Sequence, residues 1–225
     1  MQPQHLKHYI NSMNGRVLLT SDQIRDELRP YGFDPTIDFC DHVRSYIELL
    51  QRWNRRVSLT TVISPIDILR FHFGESLFAI SAVGIGSGRL ADVGSGAGFP
   101  GAPLAMALPS LEVTLIESNM KKAAFLEELK RTIGLENARV CHGRAGAIGP
   151  AGVFETVTAR AVGSYVDLLR WAKKRLGTGG RILLWLGERQ IGLIRDSREW
   201  EWQSPVPIPG AKVRFIIEGI ACQMK

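Results

Sequence analysis

The sequence predicts an α/β fold in which a small helical N-terminal segment precedes a doubly wound, mostly parallel sheet of seven strands. Residues 1–82 carry helix signals and no convincing strand, whereas residues 88–219 alternate strand-like and helix-like segments. Such alternation is typical of a parallel sheet with helices on both faces. The last two strand-like segments lie close together and predict an antiparallel C-terminal edge. The glycine-rich stretch Val83–Gly88 separates two predicted units, residues 1–82 and 83–225.

Three helices are expected in the first unit. Ser21 with an acid directly after it is typical of a helix N-terminus. Residues 36–53 place apolar side chains at helical spacing and predict an amphipathic helix. Ser64-Pro65 has the form of a cap with proline at the first helical position, and it predicts a helix over residues 66–77.

The second unit is expected to start with a strand at residues 89–93. A helix of small residues that ends at Leu108 follows a Gly/Pro turn, and Asn119 is expected to cap a helix that ends at Arg131, before Gly134. Further strands are predicted at residues 111–116, 138–141, 154–159, 181–186, 201–206 and 213–218, and further helices at residues 165–176 and 188–197.

The composition is that of a folded protein with a moderate basic excess. Of 225 residues, 45% are hydrophobic and 22% are charged, which argues against a disordered chain. The net charge of +6 and a pI near 9.5 are compatible with a polyanionic partner. The longest weakly polar stretch, Phe99–Leu108, is about half of what a membrane-spanning helix needs. No basic region followed by an apolar run opens the chain, so neither export nor membrane insertion is expected.

The cysteines and histidines do not indicate a metal site. Cys40, Cys141 and Cys222 are far apart and are expected to be reduced thiols of a cytoplasmic protein. The histidines are dispersed, and none pairs with another histidine or a cysteine at zinc-ligand spacing.

The loop after the first strand is the expected binding site, because ligands of open parallel sheets bind at the carboxyl ends of the strands. It reads Asp92-Val-Gly94-Ser-Gly96-Ala-Gly98-Phe-Pro-Gly101. Its second half satisfies the dinucleotide pattern G-x-G-x-x-G, in which a pyrophosphate lies against a helix N-terminus. Asp92 would repel a pyrophosphate, however. It suits a cofactor with a cationic end, such as S-adenosyl-L-methionine, either by direct contact or through the loop conformation.

Glu117 follows the second strand of this unit. Dinucleotide enzymes and methyltransferases both use an acid at this position to bind ribose hydroxyls. Glu117 therefore supports a nucleotide-containing cofactor without distinguishing the two classes.

Short motifs recur on both sides of the glycine loop. Downstream of it, Glu117 is followed by a Lys-Lys pair and Phe125-Leu126, and residues 154–161 read Phe-Glu-Thr-Val-Thr-Ala-Arg-Ala. Upstream, Trp53-Asn54 precedes Ser-Leu-Thr at residues 58–60, and residues 70–77 read Arg-Phe-His-Phe-Gly-Glu-Ser-Leu.

Together these motifs resemble the ribosomal RNA small subunit methyltransferase G family, also called the glucose-inhibited division protein B family, over about residues 40–190. The resemblance implies a class I methyltransferase with a Rossmann-like sheet, which uses S-adenosyl-L-methionine to methylate N7 of one guanine in 16S rRNA. Alongside the loop residues Asp92 and Gly96, it implies cofactor-binding roles for Gly94, Phe99, Glu117, Ala145, Gly146 and Arg160. For Arg160, an RNA phosphate or the target base is an open alternative.

Four positions depart from the family pattern. Glu75 and Glu155 stand where the family usually has aspartate, which keeps the charge. Gly146 replaces an acid, so any adenine contact there would come from the backbone. Leu186 stands where a lysine is usual after the fifth strand, which removes a positive charge near the expected active site.

The sequence indicates the substrate-binding residues less clearly than the cofactor-binding residues. Guanine N7 carries a lone pair and no proton, so it can attack a sulfonium methyl without a general base, and no catalytic side chain is assigned. His72 and Ser76 would lie on one side of a helix, as substrate contacts or in helix packing. Basic residues suited to phosphate contacts are Arg52, Arg55, Arg56, Lys121, Lys122, Lys130, Arg131, Arg170, Lys173, Lys174 and Arg175.

The expected partner is 16S rRNA or the 30S ribosomal particle, and a monomer is expected. Two alternatives stay open at this point. One is a methyltransferase that acts on another RNA or on a small molecule, which Gly146 and Leu186 suggest. The other is an RNA-binding relative that has lost catalytic activity.

Overall fold

A short antiparallel strand pair precedes the N-terminal helices. The computed structural model describes residues 12–13, 16–17, 19–145, 153–195 and 197–222. Strand β1 (Ser12–Met13) pairs with β2 (Arg16–Val17), so the prediction of no strand before the linker is wrong. Strands of two residues are too short to show the alternation of apolar and polar residues by which a strand is predicted. The sequence signal that indicates them is Asn14-Gly15, a pair typical of two-residue hairpin turns.

Two helices follow, and each begins after a threonine. The hydroxyl of Thr20 accepts a hydrogen bond from the Gln23 N–H (3.1 Å), and the Gln23 side chain accepts one from the Thr20 N–H (2.9 Å). This capping box starts helix α1 (Ser21–Leu28), so the cap is Thr20 and not the predicted Ser21. Helix α2 (Ile37–Asn54) starts after Thr36, and its buried face consists of Phe39, Cys40, Val43, Tyr46, Ile47, Leu49 and Leu50.

The next helical stretch contains a π-helical turn. It consists of helix α3 (Pro65–Ile68), a π-helical segment (Leu69–Gly74) and helix α4 (Glu75–Val83). The sequence predicted one regular helix here, because apolar spacing does not reveal a single widened turn. Such turns change the direction of side chains and are frequent at functional sites. His72 lies within the π-helical segment and Glu75 directly after it.

Eight strands form the central sheet, one more than predicted. After the linker, the strands are β3 (Gly88–Val93), β4 (Leu111–Glu117), β5 (Ala138–His142), β6 (Phe154–Arg160), β7 (Leu176–Gly187), β8 (Trp200–Trp202), β9 (Val206–Pro207) and β10 (Arg214–Ala221). The order is β5-β4-β3-β6-β7-β10-β8, and β9 also pairs with β10. Strands β3 to β7 are parallel, whereas β10 is antiparallel to its neighbours. The predicted mostly parallel sheet with an antiparallel C-terminal strand is confirmed.

The antiparallel strand lies inside the sheet and not at its edge. The predicted antiparallel pair is confirmed, because β10 pairs antiparallel with both β8 and β9, and β10 lies between β7 and β8. The predicted strand over residues 201–206 is interrupted between β8 and β9. Pro205 has no N–H to donate to a neighbouring strand, which accounts for the interruption.

Alternate residues of the sheet enter different cores, which confirms the doubly wound arrangement. Leu90 of β3 joins a core with α2, α4, α5 (Gly101–Ala107) and α6 (Met120–Thr132). The next residue, Ala91, joins a core with α7 (Tyr165–Arg175) and α8 (Glu188–Arg195). This is the two-residue period of a strand buried on both faces. No helix among the described residues is long and apolar enough to span a bilayer.

The N-terminal helices pack on the same face as α5 and α6. Tyr46 and Phe73 lie in one buried cluster with Phe125. Arg181 on β7 ties the end of α4 to the sheet, because its guanidinium donates to the carbonyl of Val83 (2.7 Å). The division into units of residues 1–82 and 83–225 stays a prediction.

The Tyr31 ring fills the space beside Gly74. Substitution of this glycine therefore tests the packing between the helices. A Cβ at Gly74 would lie 2.3 Å from that ring, whereas a Cβ at Gly192 of α8 has no neighbour within 4 Å. We expect Gly74→Ala to lower the free energy of unfolding by about 1–3 kcal/mol through overpacking. The control Gly192→Ala should leave it unchanged or raise it by up to about 1 kcal/mol. Urea denaturation measures both, and equal effects would contradict the packing.

Candidate active site

The glycine loop between β3 and α5 folds back over the end of β4. The N–H groups of Gly94 and Ser95 donate to the Ile116 carbonyl at 2.8 and 3.0 Å. Gly94 has a φ of +73°, which glycine adopts without strain, and it is exposed. The loop therefore presents bare backbone at the edge of the sheet where ligands of parallel sheets bind.

Asp92 lies beneath this loop with no exposed surface. One carboxylate oxygen accepts from the Thr158 hydroxyl on β6 (2.9 Å), and the other accepts from the Gly101 N–H at the start of α5 (3.2 Å). Burial raises the pKa of Asp92 to about 6, against the opposing effect of these hydrogen bonds. The carboxylate therefore joins β3, β6 and α5. This favours a role for Asp92 in holding the loop conformation over direct contact with the cofactor.

Packing accounts for two glycines of the dinucleotide-like pattern. A Cβ on Gly98 would lie 2.3 Å from the Tyr46 hydroxyl, and one on Gly101 would lie 2.8 Å from the Cβ of Asp92. The Tyr46 hydroxyl itself donates to the Ala97 carbonyl (2.6 Å). The pattern therefore has a structural cause that requires no pyrophosphate.

Glu117 ends β4 beside the loop and is almost fully buried. Its carboxylate accepts from the N–H groups of Gly96 (2.9 Å) and Asn119 (2.7 Å). Each carboxylate oxygen has two lone pairs, so both oxygens keep the capacity to accept another hydrogen bond. A carboxylate fixed in this way can bind two neighbouring hydroxyls, as the predicted ribose contact requires.

Phe99 packs against the N-terminal helices. Its ring stacks on Tyr46 (centroids 5.2 Å apart) and on His72 (4.6 Å), and it meets Phe73 edge-on (5.5 Å). Only 7% of the residue is exposed. Most of its surface is therefore used in holding the loop against α2 and the π-helical segment, which leaves little for the predicted cofactor contact.

His72 is held in place by the Trp-Asn and Ser-Leu-Thr motifs. The Asn54 side chain accepts from the N–H groups of Leu59 (2.8 Å) and Thr60 (3.0 Å), and it donates to the Thr60 carbonyl (2.7 Å). The Thr60 hydroxyl then lies 2.8 Å from His72 Nε2. Burial, with Arg160 nearby, lowers the pKa of His72 to about 4. The imidazole is therefore neutral at physiological pH.

A buried carboxylate joins two arginines at the carboxyl end of the sheet. Glu75 is 1% exposed, and its oxygens lie 3.2 Å from Arg160 Nη2 and 2.7 Å from Arg214 Nη2. The second contact is an ion pair without hydrogen-bond geometry, because Glu75 Oε1 has no hydrogen-bond partner in the described residues. Burial raises the pKa of Glu75, and the two arginines oppose this rise. The Trp185 indole donates to the Glu75 carbonyl (2.7 Å).

Arg214 is a site residue that sequence analysis missed. It begins β10, where it pairs with Gly187 of β7, and its guanidinium lies 5.0 Å from the centre of the Phe71 ring. A single arginine at the start of a strand belongs to no sequence motif, so the sequence does not mark it as functional. The topology alone brings it to Glu75, which lies on a distant part of the chain.

The other predicted site residues have different surroundings. Ser76 is buried, and its hydroxyl donates to the His72 carbonyl (2.5 Å), so packing within the helix accounts for it. Lys121 is exposed in the first turn of α6. Ala145 is half-buried after β5, and Gly146 lies outside the described residues.

Glu155 and Leu186, two of the departures from the family pattern, lie at opposite ends of the sheet. Glu155 pairs with Arg89 (2.8 Å), whose main-chain N–H also donates to it, at the amino end of β3. Leu186 is 2% exposed and belongs to the core beneath α7 and α8. Its neighbours on β7 are Trp185, whose indole donates to Glu75, and Gly187, which pairs with Arg214, so the expected loss of a positive charge near the active site stays a prediction.

Part of the predicted basic surface converges on one cleft of about 610 Å³. We call it the basic cleft; it is lined by Arg52, Trp53, Arg55, Arg56, Val57, Lys121 and Glu128. Trp53 closes its floor, because the indole donates to Glu128 (3.0 Å) and packs edge-on against Phe125. Trp53 is therefore a packing residue at this cleft. In the described ranges, no group of three or more His, Cys, Asp or Glu side chains could hold a metal ion.

Solved structures share the fold. A S-adenosylmethionine-dependent methyltransferase from Aquifex aeolicus aligns with a TM-score of 0.62 over 77% of this chain and 98% of its own, at 15% identity. A predicted O-methyltransferase from Agrobacterium tumefaciens aligns with a TM-score of 0.55 over 66% and 81%, at 22% identity. At these identities the likeness shows the fold alone, a Rossmann-like α/β sheet with the glycine loop and Glu117 at its carboxyl edge.

Sequence comparison narrows the class. The family model for rRNA small subunit methyltransferase G matches residues 40–204. Proteins with the name Ribosomal RNA small subunit methyltransferase G from Stenotrophomonas maltophilia (strain K279a) and Xylella fastidiosa (strain 9a5c) are 39% and 43% identical over 168 residues. Each alignment covers 73% of this chain and 78% of the relative. The chain belongs to the rRNA small subunit methyltransferase G family, as its motifs predicted.

The raised pKa of Asp92 predicts a pH dependence of stability. Between about pH 4 and pH 6 the folded chain holds this proton more tightly than the unfolded chain, so the contribution of Asp92 to stability falls as the pH rises. Asp92→Asn removes this dependence, and its amide oxygen can accept from the Gly101 N–H while its NH2 group donates to the Thr158 hydroxyl. We expect the variant to gain up to about 3 kcal/mol relative to wild type from pH 4 to pH 7. Urea denaturation at each pH measures the difference, and a constant difference would contradict the assignment.

The ion pairs of Glu75 and Glu155 predict unequal mutational effects. Glu75→Gln leaves two guanidinium groups beside a neutral amide, and we expect it to lower the free energy of unfolding by about 3 kcal/mol. The matched control Glu155→Gln breaks an exposed pair and should cost less than about 1 kcal/mol. Thermal or urea denaturation compares them. Equal losses would mean that Glu75 does not stabilise the arginines.

Proposed function

We propose that this protein transfers a methyl group from S-adenosyl-L-methionine to N7 of a guanine in 16S rRNA. The observation that carries the proposal is an open glycine loop beside a fixed acid, Glu117, in a chain of the rRNA small subunit methyltransferase G family. The proposed partner is 16S rRNA or the 30S particle. Action as a monomer in the cytoplasm is part of the same proposal.

The residues of the loop fit this cofactor. The nearest side-chain atom to a hypothetical Cβ at the exposed Gly94 is Val162 Cγ1, at 3.5 Å, so the glycine keeps the end of β3 open to a ligand. Glu117 would accept hydrogen bonds from the two ribose hydroxyls. Ala145 and Gly146 would frame the adenine. The bound cofactor supplies a sulfonium methyl group for attack by the acceptor.

The described side chains suit a reaction that needs no general base. Guanine N7 attacks through its own lone pair, and no proton has to leave the nucleophile. His72 is neutral, and its Nε2 is engaged by Thr60, while Asp92 is buried under the loop. Catalysis would then depend on the alignment of acceptor, methyl group and sulfur.

The two alternatives have less support. Leu186, which suggested another RNA or a small molecule as substrate, is buried in the core on the α7 and α8 face. A non-catalytic RNA-binding relative would not need the open glycine loop with an acid whose oxygens can still accept hydrogen bonds. Titration with S-adenosyl-L-methionine separates that alternative from an enzyme.

A deletion strain tests the substrate. We expect its 16S rRNA to lack one 7-methylguanosine by mass-spectrometric mapping, and the wild-type gene to restore it. Gly94→Val should not restore it, because a branched side chain at a φ of +73° strains the loop. Gly192→Ala, on the exposed surface of α8, is the matched control and should restore it. An unchanged modification map in the deletion strain would contradict the proposal.

A further inference from the structure

The basic cleft lies at the carboxyl ends of the parallel strands, unlike the basic residues at the ends of α6 and α7. Both helices begin where a strand has ended, so their last turns lie at the amino ends of the strands. Lys130 in the last turn of α6 lines a cavity with Arg89 and Glu112, at the starts of β3 and β4. The basic residues at the end of α7 directly precede Leu176, the first residue of β7. Lys121 of the basic cleft is in the first turn of α6 instead.

The first turn of α6 connects the basic cleft to the proposed cofactor site. The Asn119 side chain accepts a hydrogen bond from the Lys121 N–H (3.0 Å), and the Asn119 N–H donates to the Glu117 carboxylate (2.7 Å). Glu117 is the acid proposed to bind the ribose of the cofactor. The basic cleft therefore lies beside the place where the acceptor meets the cofactor.

The basic cleft has three positive charges more than its acid neutralises. Glu128 is the one acid in its lining, and its two oxygens are engaged by Arg52 (2.7 Å) and by the Trp53 indole (3.0 Å). The other cations of the lining are exposed and form no ion pair with a described residue; they are Arg55, Arg56 and Lys121. The excess is half of the net charge of the whole chain, +6. Such a concentration of unpaired cations favours a polyanionic partner.

Lys121 lies where a helix does not favour a cation. The N-terminus of a helix has a partial positive charge, and the first turn of α6 contains no acid to balance the lysine. Arg55 and Arg56 follow the C-terminus of α2, where a cation is favourable. Helix stability therefore accounts for the two arginines but not for Lys121. An anion bound in the cleft would offset the repulsion at Lys121.

The turn that contains the two arginines is fixed by hydrogen bonds. The N–H groups of Arg56 and Val57 both donate to the Trp53 carbonyl, at 2.9 Å each. The Asn54 side chain accepts from two further N–H groups of the same loop, at 2.8 and 3.0 Å. Because the backbone is ordered in advance, less conformational entropy is lost when a ligand binds to Arg55 and Arg56.

We propose that the basic cleft binds backbone phosphates of the rRNA next to the target guanine. This rests on the proposed function, which brings the RNA to the carboxyl ends of the strands. Guanidinium groups form paired hydrogen bonds with phosphate oxygens, and an ammonium group binds phosphate as a compact charge. Arg55, Arg56 and Lys121 can each contact one phosphate, whereas Arg52 is already paired with Glu128.

The lining of the cleft suits the RNA backbone better than a base. Its one aromatic side chain is Trp53, whose indole N–H is used by Glu128 and whose ring packs edge-on against Phe125. The exposed groups that remain are cations. Contacts to phosphates hold an RNA in register without reading its sequence. Binding through the cleft is therefore expected to be independent of base sequence.

Binding to protein-free 16S rRNA over a range of salt concentrations tests the site. Each phosphate contact contributes about 0.7–0.9 to the slope of log K against log salt concentration. We expect Arg55→Gln/Arg56→Gln to lower the slope by about two contacts and to weaken binding at least about ten-fold, and Lys121→Gln to lower it by about one contact. Arg55→Lys/Arg56→Lys should keep the slope. An RNA of equal length and unrelated sequence should give the same changes.

The matched control is Arg195→Gln/Arg198→Gln. It removes two exposed arginines at and just after the end of α8, on the opposite face of the sheet, which likewise form no ion pair with a described residue. The control should keep the wild-type slope. A wild-type slope in the cleft variants overturns the inference, and so does an equal loss in the control. If Arg55→Gln/Arg56→Gln does not fold, a wild-type slope with Lys121→Gln overturns it.

Two further measurements separate this inference from other assignments of the cleft. Weaker binding of the variants to 30S subunits but not to protein-free rRNA would assign the cleft to a ribosomal protein and overturn the inference. Calorimetry with S-adenosyl-L-methionine should give the wild-type affinity in each variant, and a weaker affinity with an unchanged slope would assign the cleft to the cofactor. An unchanged modification map in the deletion strain overturns the proposed function but leaves these slopes as they are.

Discussion

The buried carboxylate of Asp92 fixes the geometry on which the rest of the site depends. It accepts hydrogen bonds from Thr158 on β6 and from the first N–H of α5, while its own strand pairs between β4 and β6. Burial of this group is unfavourable for its charged form, as its raised pKa shows. The two hydrogen bonds offset part of that cost, and they set where the glycine loop leaves β3 and where α5 begins.

The N-terminal helices complete the same loop from its other side. Phe99 is stacked between Tyr46 of α2 and His72 of the π-helical segment, and the Tyr46 hydroxyl holds the Ala97 carbonyl. The loop therefore lies between the sheet and the helices, with Gly94 exposed at its turn. The motifs around Asn54 and His72 belong to this support, because Asn54 positions Thr60 and Thr60 holds the imidazole.

Much of the fold could be predicted, because alternating strands and helices are visible as local patterns. The features that were missed arise from single residues or from distant contacts. Pro205 interrupts a predicted strand, and a π-helical turn leaves no trace in apolar spacing. Glu117 was predicted as an acid at a strand end, which is a local feature. Arg214 was not, because only the insertion of β10 beside β7 brings it to Glu75.

The central claim is that Asp92 shapes the loop from beneath while Glu117 binds the cofactor. An experimental structure of the complex with S-adenosyl-L-methionine tests it most directly. We expect the Glu117 carboxylate to lie within about 3 Å of the ribose hydroxyls. The Asp92 carboxylate should keep its hydrogen bonds from Thr158 and Gly101 and contact no cofactor atom. A cofactor ammonium bound directly to Asp92, with either of those hydrogen bonds broken, would contradict the account.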